Sequence, residues 1–148
     1  MFEKAQVRVW MTSPVITIHP SDTVSAASEL MREYNVRRLV VTENNCVVGI
    51  ITLGDVREAR PSDATTLSIW EVNYLWSQLK VGQVMTHNTV AIGPDESIVD
   101  AAECMLEHKI SGLPVVDDHN VLVGVISEAD IFRALVKSKL TDETPEPA

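Results

Sequence analysis

Apolar and polar residues follow a pattern that occurs twice along the chain. Each copy begins with a short β-type run, at residues 15–18 in the first copy and 89–92 in the second. A proline and a capping residue come next in both copies, which marks the start of a helix. Two apolar strands around a polar turn follow this helix, and a second helix closes each copy from about Leu53 and about Glu128.

The first helix of each copy places apolar residues at helical spacing. These positions are Val24, Ala27, Met31 and Tyr34 in the first copy, and Ile98, Ala101, Ala102 and Met105 in the second. The strands are expected at residues 39–42 and 47–51, and at 113–116 and 121–126. Asn and Asp occupy the turns between them, where their side chains bond the backbone.

The two copies align residue by residue, which predicts an α+β fold of two tandem β-α-β-β-α repeats. Met11-Thr12 aligns with Met85-Thr86, and Gly49 aligns with Gly124. A single unit of this size buries little surface, so two copies should share a core. We therefore expect an intramolecular pseudo-twofold, with equivalent clefts where the copies meet.

The predicted domain organisation is a first repeat (1–60), a connector helix (61–80), a second repeat (81–140) and a disordered acidic tail (141–148). The connector has no counterpart in the repeats, and its helix is expected over residues 66–79. One apolar face comprises Ile69, Val72, Leu75, Trp76 and Leu79, and a second patch comprises Leu67, Trp70 and Tyr74. The main face favours packing on the chain itself. The aromatic patch is either covered in the same way or is a subunit contact.

Composition narrows the class of protein. The chain has 148 residues, of which 45% are hydrophobic, and a net charge of −9. This balance is typical of a globular domain. It argues against nucleic acid as the main partner, since binding to the phosphate backbone needs clustered Lys and Arg residues. No apolar run approaches the ~20 residues that a membrane span requires. The two cysteines, Cys46 and Cys104, are interpreted as buried thiols of a reducing, cytoplasmic compartment.

A motif at the end of each repeat suggests a nucleoside site. The pattern Gly-x-x-[Ser/Thr]-x-x-Asp runs from Gly49 to Asp55 and from Gly124 to Asp130. A helix start offers free N–H groups to an anion, and an Asp near it can accept both hydroxyls of a ribose. The same spacing also fits a capping box, in which the two side chains only cap the helix.

The repeats and their motifs resemble a tandem pair of CBS domains, named after cystathionine β-synthase. The resemblance is carried by the two motifs above, the Met-Thr starts and the segment from Ile110 to Asp117. It implies clefts that bind an adenosyl ligand (AMP, ADP, ATP or S-adenosylmethionine), regulation of an attached or partner protein, and association through helices into a homodimer.

The resemblance also implies roles for individual residues. Asp55 and Asp130 match the ribose-binding Asp, and Thr52 and Ser127 match the hydroxyl beside it. Ile16 and Val90 match positions that hold the adenine, and Val36 and Ile110 match its apolar wall. Arg37 and Arg38 match a phosphate-binding basic pair, which the second copy replaces with Ser111 and Gly112. Pro114 also matches the family's pattern. In the first copy, Val40 stands in place of the usual Pro and Thr42 in place of the usual Asp. Arg57 and Arg133 are weaker basic candidates.

We therefore predict a stand-alone regulatory module that binds AMP, ADP or ATP as a regulatory ligand and has no catalytic cofactor. No nucleophile–base pair, glycine-rich phosphate loop or metal cluster supports an enzyme. An S-adenosylmethionine module and a dimerisation module without ligand remain alternatives. The expected partners are a second copy of the chain and an unknown regulated protein, with no nucleic acid or membrane.

Overall fold

The structure, a computed structural model, describes residues 4–61 and 66–142, and of residues 139–142 only the backbone. The elements follow one another as α1 (Val7–Trp10), β1 (Thr17–Ile18), α2 (Val24–Glu33), β2 (Arg38–Glu43), β3 (Cys46–Thr52), α3 (Leu53–Ala59), α4 (Ile69–Gln78), α5 (Val81–Val84), β4 (Thr86–His87), α6 (Ile98–His108), β5 (Gly112–Val116), β6 (Leu122–Ser127) and α7 (Glu128–Asp142). The mixed α+β class and the two tandem repeats are confirmed.

The chain forms two compact units. The first-repeat unit spans Ile16–Thr89, and the second-repeat unit combines the described parts of Met1–Val15 and Val90–Ala148. These units differ from two contiguous repeats, because each Met-Thr segment joins the unit built by the other copy. Met11-Thr12 therefore packs with the second repeat, and Met85-Thr86 packs with the first.

The first-repeat unit is built on a four-stranded sheet with the strand order β1-β2-β3-β4. Strands β1 and β2 are parallel, and the other neighbours are antiparallel. Helices α2, α3 and α5 contribute to its core, whose buried members are Ile18, Val24, Ala27, Met31, Leu39, Val41, Ile51, Val56, Val81 and Met85. Burial of these apolar side chains is the main stabilising term of the unit.

The second-repeat unit repeats this topology with shorter edges. Strands β5 and β6 pair antiparallel, Ile92 bridges Val115 in parallel, and Thr12 bridges Val125 in antiparallel fashion. The core consists of Val7, Ile92, Ile98, Ala101, Met105, Leu113, Val115, Ile126, Ile131 and Ala134. The expected strand at residues 89–92 is thus reduced to a single pairing, and the one at 15–18 to Thr17–Ile18.

The helical patterns are largely confirmed. Val24, Ala27 and Met31 are buried on α2, whereas Tyr34 follows the helix as its C-cap and is 52% exposed, so its place in the buried face was wrong. Helix α7 continues to Asp142, two residues into the predicted tail, and residues 143–148 lie outside the described part of the chain.

The connector helix is shorter and less covered than its pattern predicts. Helix α4 begins after Ser68, which caps it, and lies beside α2. Trp76 and Leu79 pack against the core of the first-repeat unit, and Arg60 stacks over the Trp76 ring at 4.9 Å. Val72 is half-buried, and the other large apolar residues of the connector are exposed: Leu67, Ile69, Trp70, Tyr74 and Leu75. Packing against the core is therefore seen at the C-terminal end of the predicted face.

Two further expectations, on the burial of the cysteines and on membrane spans, concern the cellular compartment. Neither Cys46 nor Cys104 forms a disulfide within the described residues, and both are half-buried, so they are less buried than expected. Burial raises the pKa of the Cys104 thiol, and the negative charges of Glu107 and Glu96 add to this effect. Within residues 4–61 and 66–142, no helix has the length and apolar character that a bilayer crossing needs.

Candidate functional site

The hydroxyl and the carboxylate of the motif form a reciprocal pair at the first strand-to-helix junction. Strand β3 ends at Thr52, where α3 begins. The Asp55 amide donates to the Thr52 hydroxyl oxygen at 3.1 Å, and the Thr52 amide donates to Asp55 Oδ2 at 2.9 Å. This arrangement is a capping box, so the capping interpretation describes contacts that are present.

The second junction has the same arrangement in a more buried form. Asp130 Oδ2 accepts from the Ser127 amide at 2.8 Å and from the Ser127 hydroxyl at 3.1 Å. The Asp130 amide donates back to the hydroxyl oxygen at 3.4 Å. Asp130 is 2% exposed, whereas Asp55 is half-buried. The two pairs thus share a geometry but differ in their access to solvent.

Capping leaves hydrogen-bonding capacity on both carboxylates. An ionised carboxylate has about four acceptor sites, and the cap uses only Oδ2. Among the residues that the structure describes, no hydrogen bond or ion pair reaches Oδ1 of Asp55, and Arg133 donates to Oδ1 of Asp130. The cap therefore fixes the orientation of an acceptor whose remaining lone pairs suit the two adjacent hydroxyls of a ribose.

Sequence reasoning missed the role of Arg133. The sequence pattern makes Arg133 a weak candidate for binding phosphate, whereas in the structure it forms an ion pair with Asp130 one turn earlier on the same helix. The spacing of three residues between an acid and a base on a helix was the available signal. Arg133 thus neutralises a buried carboxylate, because an unpaired buried charge is costly.

Arg37 and Arg38 lie beside the first junction. The Leu53 amide, at the start of α3, donates to the Arg37 carbonyl at 2.8 Å. On the neighbouring strand, Arg38 is the register partner of Thr52. Arg37 is exposed and Arg38 is half-buried. The sequence motif and the basic pair, which are distant in sequence, therefore meet at one edge of the sheet.

The second-repeat unit has the same backbone contacts without the charge. The Glu128 amide donates to the Ser111 carbonyl at 3.0 Å, and Gly112 is the register partner of Ser127. Ser111 and Gly112 thus occupy the places of Arg37 and Arg38. The difference in charge between the two edges follows directly from these two substitutions.

The apolar candidates belong to the same two units. Ile16 and Val36 are half-buried and pack against the core of the first-repeat unit, as Val90 and Ile110 do in the second-repeat unit. Pro114 is buried within β5. Each unit therefore holds a hydroxyl and an oriented carboxylate together with half-buried apolar side chains, which are the residue types that a nucleoside site uses.

The model of the family "CBS domain" matches residues 5–62 and 81–137. The chain belongs to the CBS domain family. Its two matches correspond to the two repeats, and both strand-to-helix junctions described above lie within them. The resemblance seen in the sequence is thereby confirmed.

Solved CBS pairs of similar size carry adenosyl ligands. The CBS domain pair of protein MJ0100, in complex with 5-methylthioadenosine and S-adenosyl-L-methionine, matches with a TM-score of 0.74 and 27% identity, covering 91% of this chain and 98% of that one. The structure of CBSX2 in complex with AMP matches with a TM-score of 0.74 and 26% identity, over 91% of this chain and 98% of that one.

Enzymes that carry CBS domains are similar over only part of their length. The homoserine O-acetyltransferase of Methanococcoides burtonii is 36% identical over 126 residues, which cover 84% of this chain and 23% of the enzyme. The chain thus spans about a quarter of that relative. The similarity concerns a CBS region, and the activity of the whole enzyme does not follow from it.

Proposed function

We propose that this CBS pair is a cytoplasmic, non-enzymatic regulatory module that binds an adenine nucleotide: AMP, ADP or ATP. One observation carries the proposal. The same hydroxyl–carboxylate pair stands at the same strand-to-helix junction in both units, and acceptor capacity is left on the carboxylate. Similar pairs bind AMP or S-adenosylmethionine, which supports an adenosyl ligand.

The proposed roles follow from chemistry at each position. Oδ1 of Asp55 and of Asp130 accepts the ribose hydroxyls, beside Thr52 and Ser127. The base lies against the apolar walls, which are Ile16 and Val36 in one unit and Val90, Ile110 and Pro114 in the other. Ser111 and Gly112 offer backbone hydrogen-bonding groups and room for the ligand but no charge, whereas Arg37 and Arg38 offer positive charge to a phosphate.

A ligand panel tests the proposal. We expect AMP, ADP or ATP to bind saturably in calorimetry and to raise the melting temperature, because a ligand at 100 times its Kd adds about 2.7 kcal/mol to stability. If S-adenosylmethionine binds and the three nucleotides do not, S-adenosylmethionine is the ligand. If none of these compounds binds, the chain is a dimerisation module without ligand. If a bound nucleotide is turned over, the chain is an enzyme.

The arginine pair is expected to act on phosphate. Replacing Arg37 and Arg38 with alanine should lower AMP affinity about tenfold or more and leave adenosine affinity unchanged, because charge-assisted bonds to phosphate are lost. AMP binding should also weaken as salt is raised. Calorimetry with AMP and adenosine at two salt concentrations measures both effects. The matched control is Arg60→Ala, which removes a positively charged side chain that stacks on Trp76. Equal losses for AMP and adenosine would contradict the assignment.

We also propose that the chain works as a homodimer. The closing helices are expected to contribute to the interface near Val56 and at Ile131–Leu135, although Val56 and Ile131 themselves are buried in the cores of their own units. The exposed residues of α7 offer the contact: Phe132, Leu135 and Val136 are 51–61% exposed. Exposed apolar residues that are grouped in this way are typical of interaction surfaces. The aromatic residues Trp70 and Tyr74 on α4 offer a second surface.

Light scattering checks the dimer. We expect a mass of twice the chain's 16.3 kDa at micromolar concentration, and the monomer mass after Phe132→Glu with Leu135→Glu, because a charge there would be buried without a partner. A dimer that survives Trp70→Ala with Tyr74→Ala would exclude the connector from the interface. A monomer mass for the unmodified chain would exclude the dimer.

A further inference from the structure

The two proposed ribose acceptors differ in what already occupies them. Oδ2 of each acid accepts from the residue that caps the helix, which leaves Oδ1 for a ligand. An ionised carboxylate oxygen has about two lone pairs to offer. Within the described residues, no hydrogen bond reaches Oδ1 of Asp55, whereas Arg133 donates to Oδ1 of Asp130. Oδ1 of Asp55 therefore has about two free lone pairs, and Oδ1 of Asp130 has about one.

A ribose brings two neighbouring hydroxyls, and each of them needs a lone pair. Oδ1 of Asp55 can accept from both. Oδ1 of Asp130 can accept from only one of them while Arg133 keeps its bond. Because the Asp130 side chain is 2% exposed and the Arg133 side chain is 61% exposed, the arginine is the member of the pair that can turn into solvent. A ribose held by both hydroxyls at Asp130 thus requires the ion pair to open.

This difference arises from one position of the repeat. The motif Gly49–Asp55 aligns with Gly124–Asp130, so residue 58 aligns with residue 133. The first copy has Glu58 there, which is exposed on α3 and, when ionised, has no proton to donate to a carboxylate. The second copy has Arg133, and a spacing of three residues on a helix brings it to the acid.

We infer that Arg133 competes with the ribose for Asp130, so that the second-repeat unit binds a nucleotide by one ribose hydroxyl and the first-repeat unit binds it by two. The inference rests on the proposed function and deepens it by naming the residue that restricts one of the two acceptors. The ion pair also gives the buried carboxylate a partner when no ligand is bound. Arg133 thus opposes ribose binding, which is the reverse of the effect of a phosphate-binding residue.

The ratio of the affinities for AMP and 2′-deoxy-AMP tests the inference, because the two ligands carry the same phosphate and differ only in the 2′-hydroxyl. Calorimetry on the full chain with Asp55→Ala reports on Asp130. We expect a ratio near unity there, since deoxyribose still has a hydroxyl for the one free lone pair. Adding Arg133→Met removes the donor and should raise the ratio to about tenfold or more, the effect of one bond to a charged group. Arg133→Lys, the matched control, keeps a charged donor and should leave the ratio near unity.

A reverse variant keeps the inference testable if Arg133→Met does not fold. Glu58→Arg places a donor three residues after Asp55, which is the spacing in the second copy. In the full chain with Asp130→Ala, this variant should lower the ratio from about tenfold or more to near unity. A ratio that Glu58→Arg leaves unchanged would overturn the inference. If the chain prefers the triphosphate, ATP and 2′-deoxy-ATP replace AMP and its analogue.

Two results in the Asp55→Ala chain would overturn the inference alone: a tenfold ratio with Arg133 in place, or a ratio near unity in a folded Arg133→Met protein. AMP binding that appears only after Arg133→Met would support the inference. Binding in neither variant, while the unmodified chain still binds AMP, would overturn it. Failure of the unmodified chain to bind AMP, ADP or ATP would overturn the proposed function, and the inference with it.

Discussion

Replacing Gly49 with alanine is expected to lower the free energy of unfolding by about 1–3 kcal/mol, the usual cost of overpacking. A Cβ at this position would stand 2.5 Å from the Thr86 carbonyl oxygen and 2.8 Å from Met85 Sδ. Gly124→Ala should cost less, because its nearest atom is Sδ of the flexible Met11 side chain. Thermal denaturation should show a lower melting temperature, by roughly 2–4 °C per kcal/mol.

Gly54→Ala is the matched control for these glycines. Its Cβ would meet only the Thr52 hydroxyl oxygen at 3.6 Å, an ordinary contact, and the residue lies within α3. Removing a helical glycine should therefore stabilise the protein by about 0.5–1 kcal/mol. Equal melting temperatures for Gly49→Ala and the unmodified chain would show that the Met85-Thr86 segment does not lie closely against β3.

The glycines show which part of the fold the sequence could not reveal. The repeat predicted the helices, the hairpins and the closing helices, because these depend on periodicity and turn residues within a few positions of one another. Nothing local says which copy a Met-Thr segment will join. That choice depends on the close approach of Met11 to Gly124 and of Met85 to Gly49, and the first of these pairs is separated by most of the chain.

The sequence predicted where the hydroxyl–carboxylate pairs lie but not which contacts they make. The sequence indicated that a hydroxyl and a carboxylate stand together at each junction, because both lie within one turn of the chain. It left open whether they cap the helix or bind a ligand, and the geometry allows both on different carboxylate oxygens.

The connector shows the limit of periodicity. Its pattern predicted a face of five apolar residues, yet within the described residues only Trp76 and Leu79 of that face pack against the core of the first-repeat unit, where α2 is a close neighbour of α4. A hydrophobic pattern specifies which residues share a face of a helix. Whether that face is covered depends on the surfaces around it, and no sequence window contains that information.

Asp130→Ala is expected to have the largest combined effect on stability and binding. The substitution removes the acceptor of the Ser127 amide and hydroxyl and the partner of Arg133. A lost bond to a charged group costs about 1.5–3 kcal/mol, so we expect the unfolding free energy to fall by about that amount. Asp55→Ala should cost about 1 kcal/mol, the value typical of a lost cap, because Asp55 is only half-buried.

Binding must be separated from this loss of stability. Asp130→Ala should also weaken AMP binding by about tenfold or more, since each lost charged bond to ribose is worth about 1.5–3 kcal/mol. Asp117→Ala is the control, because Asp117 also stabilises the second-repeat unit, by accepting from the His119 and Val121 amides, but follows the opposite end of β5. Calorimetry well below both melting temperatures should show unchanged AMP affinity for Asp117→Ala. Equal losses of affinity in the two variants would mean that Asp130 acts on binding only through the fold.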